Sequence, residues 1–232
     1  MRTVNLITVI TTIGTFCLSN AAEPSGTSAS GTFIDKRDGK KYKTIVIGEN
    51  TWMAENLNYQ PKTGNSWCYD NDTSNCGKYG KLYNWETAKK VCPSGWYLPS
   101  NREWDNLVFA ARGDDMCLVG GGWAGTRLKS KNGWRYKGES FNSTDEFGFS
   151  ALPGGYRKAD SGRFIEARNG GYWWTASTEN SYSGTFASHL GLRYDDYGVR
   201  NNIQSKDDGL SVRCLQDASG GKPIRPESSK TK

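Results

Sequence analysis

Histidine is nearly absent: His189 is the one imidazole in 232 residues. A serine or cysteine nucleophile needs a base held by an acid. His189 stands beside Leu190 in a stretch that reads as a strand, and is expected to be a structural or surface residue. No Cys-x-x-Cys pair occurs, so a Cys/His zinc site lacks its ligand pattern. Outside the extreme N-terminus no apolar run reaches the roughly 18 residues of a membrane span. The Ala/Leu/Glu/Lys bias of coiled coils and bundles is missing, and 28 Gly and 9 Trp stand in its place. Charged residues make up 23% and aromatics 12%, which excludes wholesale disorder, and mean hydropathy is −0.72. The net charge of +6 is mild and spread along the chain, with no basic stripe for nucleic acid. What remains is a single loop-rich β or α+β domain.

The N-terminus reads as an export signal. Arg2 is the only charge before Glu23, the stretch from Val4 to Leu18 is largely apolar, and Asn20-Ala21-Ala22 supplies a small-residue boundary. Residues 1–22 are expected to be a cleaved signal peptide. Cys17 lacks a Leu-like residue three positions before it, so no lipid anchor is expected. Residues 23–31 read as a flexible Ser/Gly linker, 32–217 as the folded unit and 218–232 as a disordered basic tail. The expected location is secreted or at the cell surface, with no membrane span once the signal is removed. In that oxidising setting disulfides persist. Cys68, Cys76, Cys92, Cys117 and Cys214 remain. Two bridges and one leftover thiol is the simplest arithmetic, and spacing alone leaves the pairing open.

Asp38-Gly39 between two β-prone runs (32–37 and 41–47) signals a hairpin, and residues 51–54 a third strand. Residues 69–75 carry Asp70, Asn71, Asp72 and Asn75; without the Gly and Glu of an EF-hand they read as an Asx-rich loop rather than a calcium site. A helix period runs over 82–92 and stops at Pro93. Ser100-x-x-Glu103 is a capping box opening a helix to about residue 112, with Trp104, Leu107, Val108 and Ala111 as its buried stripe. Beyond residue 120 the pattern is short strands and turns. Residues 148–157 read as a strand breaking into a turn. In 171–177 alternation sets Tyr172, Trp174 and Ala176 against Trp173 and Thr175. Residues 187–192 and 210–215 read as two more strands, with Cys214 inward.

Several pieces, in order, resemble the Fibrobacter succinogenes major paralogous domain. They are Thr51-Trp52-Met53-Ala54-Glu55-Asn56-Leu57, Tyr79-Gly80-Lys81-Leu82-Tyr83-Asn84-Trp85, Val91-Cys92-Pro93-Ser94-Gly95-Trp96-Tyr97-Leu98-Pro99-Ser100, Trp104, Gly148-Phe149-Ser150-Ala151-Leu152-Pro153-Gly154-Gly155, Trp174-Thr175-Ala176-Ser177 and Ser211-Val212-Arg213-Cys214. The resemblance covers about residues 32–216. It implies an α+β, C-type-lectin-like fold: two helices packed beside antiparallel β-sheets with long Gly- and aromatic-rich loops, stapled by disulfides. It also implies a bridge from the first helix to the final strand, Cys92 to Cys214, which leaves Cys68 and Cys76 as a local clip and Cys117 unpaired.

The resemblance carries no activity. The Glu-Pro-Asn, Gln-Pro-Asp and Trp-Asn-Asp pieces of calcium-dependent lectins are absent, so no metal and no cofactor are expected. The expectation is a non-catalytic exported module that binds a polysaccharide or a cell-surface protein through its loop face. Trp123, Trp134, Tyr156, Tyr172, Trp173, Tyr194 and Tyr197 are the candidate contacts, because aromatic faces stack on sugar rings. The alternatives are a glycan hydrolase with a carboxylate pair drawn from residues such as Asp114, Asp115, Glu139, Asp145 and Glu146, and a structural surface domain without a small ligand.

Overall fold

Turn chemistry and cross-strand pairing build the first sheet. The computed structural model describes residues 29–112, 122–136, 143–178 and 184–218. The expected signal peptide, the linker up to residue 28, Cys117, Asp114, Asp115, Glu139 and the tail beyond residue 218 lie outside the described residues. Strands β1 (Ser30–Ile34) and β2 (Lys41–Ile47) form the expected hairpin, with Ile34 opposite Lys41. Its loop spans residues 35–40: the Asp35 N–H donates to the Lys40 carbonyl at 2.8 Å, and of the Asp-Gly pair only Gly39 takes a positive φ, 75°. Ser30 and Gly31, expected in the linker, belong to β1, because pairing with Ile45 and Thr44 satisfies their backbone.

The chain continues through β3 (Asn50–Met53), β4 (Ser66–Trp67), a 3-10 turn (Tyr69–Asn71), α1 (Thr73–Tyr79), β5 (Leu82–Tyr83), α2 (Trp85–Val91), β6 (Trp96–Tyr97), α3 (Asn101–Arg112), α4 (Ala124–Leu128), β7 (Gly154–Arg157), β8 (Phe164–Ala167), β9 (Gly170–Trp174), β10 (Phe186–Arg193), β11 (Arg200–Ser205), β12 (Leu210–Ser211) and β13 (Leu215–Gln216). One sheet has the order β1-β2-β3-β13-β6 and the other β11-β10-β9-β12-β5-β4, with β7 attached to β9 and β8. The fold is thus a mostly-sheet α+β arrangement.

Four α-helices rather than two occur among the described residues. The two expected ones are α2 and α3. Helix α2 begins only at Trp85, because Leu82 and Tyr83 pair with β12 and β4 and Asn84 caps it by accepting from the Thr87 N–H. In α3 one half of the capping box forms: the Ser100 N–H donates to the Glu103 carboxylate at 2.7 Å, and the Ser100 hydroxyl donates to the same oxygen. Trp104, Leu107 and Ala111 are buried as the stripe requires. Helix α1 replaces the expected Asx-rich loop. Asp72 is its N-cap, accepting from the Ser74 N–H at 2.8 Å, so that carboxylate is used by the backbone. The helix is short, and its one anchor inside the clip is Cys76, which leaves no periodic stripe to read.

Two cores fill the body. One gathers Ile45, Ile47, Trp52, Trp104, Leu107, Phe149, Trp173, Leu190 and Leu192; the other Tyr42, Met53, Leu57, Tyr83, Trp85, Trp96, Trp174, Leu210 and Val212. The alternation read along β9 holds: Trp173 enters the first core, and Trp174 enters the second with Tyr172 packed against it. Residues 148–157 follow the reverse of the expected order. The turn comes first, with Ser150 at φ 51° held by the Asp145 carboxylate, and the strand β7 follows.

The stretch expected as one strand over 210–215 is two. Leu210–Ser211 lies in the second sheet and Leu215–Gln216 in the first, and the residues between cross from one to the other. That crossing is tied down on both sides: the Leu57 N–H donates to the Val212 carbonyl at 2.8 Å and the Met53 N–H to the Cys214 carbonyl at 3.0 Å. Arg213 within it is fully buried, and burial pushes its guanidinium down to about 9, against a smaller upward pull from Asp145 and Glu55. It donates to Asn56 Oδ1 at 3.1 and 3.2 Å, to the Ser150 carbonyl at 3.1 Å and to the Phe149 carbonyl, and it lies 4.2 Å over the Phe149 ring. The Trp173 indole donates to the same Asn56 oxygen at 2.8 Å.

Both bridges implied by the resemblance are present: Cys68 to Cys76, 8 positions apart, and Cys92 to Cys214, 122 apart. In the chain-entropy picture the long bridge stabilises by about 5 kcal/mol and the short one by about 2.5 kcal/mol. Urea unfolding of a Cys92→Ala/Cys214→Ala chain should therefore show a loss about twice that of Cys68→Ala/Cys76→Ala. Equal losses would mean that strain or residual unfolded structure, rather than loop closure, sets their worth.

Candidate functional site

The second sheet presents one face on which aromatic packing gives way to polar groups. Cross-strand partners on an antiparallel ladder share a face, as do residues two apart on one strand. On β10 this aligns Ala187, His189, Gly191 and Arg193. Trp174 and Asn202 stand opposite His189, Tyr172 stands opposite Gly191, and Gln204 stands opposite Ala187. Ala187 and Trp174 close the second core. Farther along the face a cavity of about 350 Å³ opens, lined by Tyr156, Glu166, Tyr172, His189, Arg193 and Gln204, with Asn202, Ile203 and Leu210 at its margins.

Local structure sets each wall. Tyr172 lies across two glycines: a Cβ on Gly170 would come within 2.4 Å of its hydroxyl, and one on Gly191 within 3.3 Å of its ring. Tyr156, from β7, meets Tyr172 edge-to-face with ring centroids 5.2 Å apart, and Tyr172 meets the His189 ring likewise at 5.7 Å. Glu166 holds a left-handed φ of 68° within β8, a conformation costing a non-glycine residue of order 1–3 kcal/mol. Its carboxylate reaches Arg193 at 3.4 Å, and Asp195 takes the same guanidinium at 3.3 Å. Gln204 donates its amide N–H to Asp208, whose other oxygen accepts from the Ala159 N–H at 2.7 Å.

Burial governs the titration of these groups. It raises the Tyr156 and Tyr172 hydroxyls; Asp208 and Glu166 push Tyr156 further and Glu166 pushes Tyr172 further, while Arg193 pulls Tyr172 back. His189 is pushed down to about 4 by burial, so it is a neutral ring at pH 7. Its Nδ1 is sealed and has no hydrogen-bond partner among the described residues.

The seven sequence candidates do not form one site. Tyr156 and Tyr172 meet in the cavity. Trp173 is a correction: it is wholly buried in the first core, its indole N–H spent on Asn56, and its face offers nothing to a ligand. Alternation assigned it the face opposite Tyr172, and that face is covered too. Trp123 and Tyr197 form a separate tilted pair with centroids 4.7 Å apart, 38% and 41% exposed. Trp134 is half-buried and donates to the Ala151 carbonyl at 3.1 Å, and Tyr194 lies 5.5 Å from the Arg135 guanidinium. The buried Lys129 ammonium lies 5.4 Å from the Trp134 ring and donates to the carbonyls of Arg193 and Asp196 at 3.0 and 2.7 Å, fixing the loop between these aromatics and the cavity. Of the carboxylates considered for hydrolysis, Asp145 holds the Ser150 turn and Glu146 pairs with Arg127 at 3.2 Å. Neither lines the cavity. The sequence marks His189 only as a structural or surface residue and does not single out Glu166, Arg193, Asn202 or Gln204. The period-two pattern on β10 carries a signal for Arg193, but Glu166 has none. No group of three or more His, Cys, Asp or Glu placed to hold a metal occurs among the described residues.

The family model of the Fibrobacter succinogenes major domain matches residues 45–216. The chain belongs to this family. No curated protein and no solved structure matches it. Within the Fibrobacter succinogenes major domain, the pieces that carried the resemblance surround Arg213 and the long bridge: Asn56, Phe149, Ser150 and Cys92 all come from them. The cavity residues come from none of them.

The His189 environment has a measurable consequence. The unfolded imidazole takes a proton near 6.5 and the folded one only near 4. Its contribution is complete above pH 6.5 and is lost as pH falls toward 4, amounting to roughly 2–3 kcal/mol by pH 4.5. In urea unfolding at pH 7 and 4.5, His189→Gln should lose less stability on acidification than the parent by about that amount. Parallel losses would show that the ring is not held neutral.

Proposed function

We propose that this chain is an exported, non-catalytic module that binds carbohydrate in the cavity between β7, β9, β10 and β11. The observation that carries the reading is the meeting, on a rigid sheet, of the edge-to-face pair Tyr156–Tyr172 with neutral hydrogen-bonding groups at His189, Asn202 and Gln204. Tyrosine rings supply apolar faces for the C–H side of a sugar, and amides and hydroxyls match its oxygens. The volume sits at the low end of small-molecule sites, roughly 300–1,000 Å³. Glu166 is the one carboxylate lining the cavity among the described residues, and it is held by Arg193. That supports binding over a two-carboxylate hydrolysis.

Export is part of the same reading. Two disulfides fit an oxidising compartment, and no described helix is long and apolar enough to cross a membrane. The tie from the end of α2 to the segment that crosses between the sheets, Cys92–Cys214, supports a C-type-lectin-like kinship.

Pull-down on a panel of insoluble polysaccharides, with assay of released sugar, tests the proposal. Retention without release is expected, with and without chelator, and Tyr156→Ala and the rim change Asn202→Ala should each weaken it about tenfold without moving the unfolding midpoint by more than a few degrees. Sugar release abolished by Glu166→Gln would replace binding with catalysis. No retention on any glycan would leave a structural surface domain.

A further inference from the structure

The cavity's charge pattern selects among glycans, an inference that rests on the carbohydrate reading above. The chain as a whole carries +6 and would be drawn to acidic polymers. The cavity runs against that tendency. Its one guanidinium, Arg193, is already shared by two carboxylates, Glu166 at 3.4 Å and Asp195 at 3.3 Å. A third carboxylate, Asp208, sits behind Gln204 and is nearly buried. The imidazole is neutral, and the tyrosine hydroxyls feel the nearby acids as a further upward push on their protonation. Gln204 gives one of its two amide N–H donors to Asp208, and its carbonyl oxygen is an acceptor.

We propose that the cavity takes neutral sugars and rejects uronic acids, with Glu166 as the residue that sets the discrimination. Among the described residues a ligand carboxylate entering here finds no unshared cation and must approach Glu166, where like-charge repulsion opposes it. A hydroxyl-rich neutral ring meets no such opposition. Glu166 sits where the β7–β8 ladder is interrupted, across from Gly155, and both residues are left-handed.

Titration calorimetry of the intact chain at 0.15 M salt tests this, with short oligomers so that overall charge does not retain a polyanion non-specifically. Cellotetraose and mannotetraose are the neutral probes and tetragalacturonate the acidic one. At least one neutral probe should bind about tenfold or more tighter than tetragalacturonate, and Glu166→Gln should shrink that ratio about tenfold. Equal or tighter binding of tetragalacturonate by the parent chain, or an unchanged ratio in Glu166→Gln, overturns the selectivity while leaving the carbohydrate reading intact. Binding of neither class overturns both.

Discussion

A guanidinium buried without a carboxylate partner holds this fold together. Arg213 is satisfied by the oxygens of Asn56 on one side and of the adjacent Phe149 and Ser150 on the other, and it sits where the backbone leaves one sheet for the other. A charge in that position is tolerable only if every donor finds an acceptor. The surrounding loops must therefore adopt the shapes that present those oxygens. The turn at Asp145–Ser150, left-handed at Asp145, Gly148 and Ser150, and the run through Asn56 are the two halves of that cage. The neighbouring Cys92–Cys214 bridge adds the covalent tie from α2.

The division of labour follows from that constraint. The residues that carry the family resemblance build the cage, the bridge and the indole core. The cavity is assembled from residues of β7 to β12 that lie outside those pieces, on the face where the second core ends. Lys129 shows how the two are joined: it is buried among framework residues yet holds the carbonyls of the loop that begins at Arg193.

Much of the body was legible because its signals are local. The Asp38-Gly39 hairpin, the stripe of α3 and the alternation along β9 each follow from one segment's own residues. Both disulfide pairs came from resemblance, since spacing left their pairing open. The rest depends on distant partners. Helix α1 is too short to show a period, and the break at 212–214 is dictated by two sheets meeting rather than by any residue in the run Leu210 to Leu215. Trp173 was misplaced because alternation says which face a side chain takes but not whether that face is covered. The cavity draws on strands whose register no local pattern reveals, so Tyr156 and Tyr172 were found as aromatics while Glu166 and Gln204 were not.

Native-state hydrogen exchange at the Met53 and Leu57 amides tests the central claim most directly, because these two donate to the carbonyls on either side of Arg213. If the crossing segment is the joint on which both sheets depend, they exchange only through global unfolding, at the free energy given by urea denaturation and with the full denaturant slope. Exchange well below that free energy, with little denaturant dependence, would mean that the crossing opens on its own and that the buried arginine is not what the two sheets rely on.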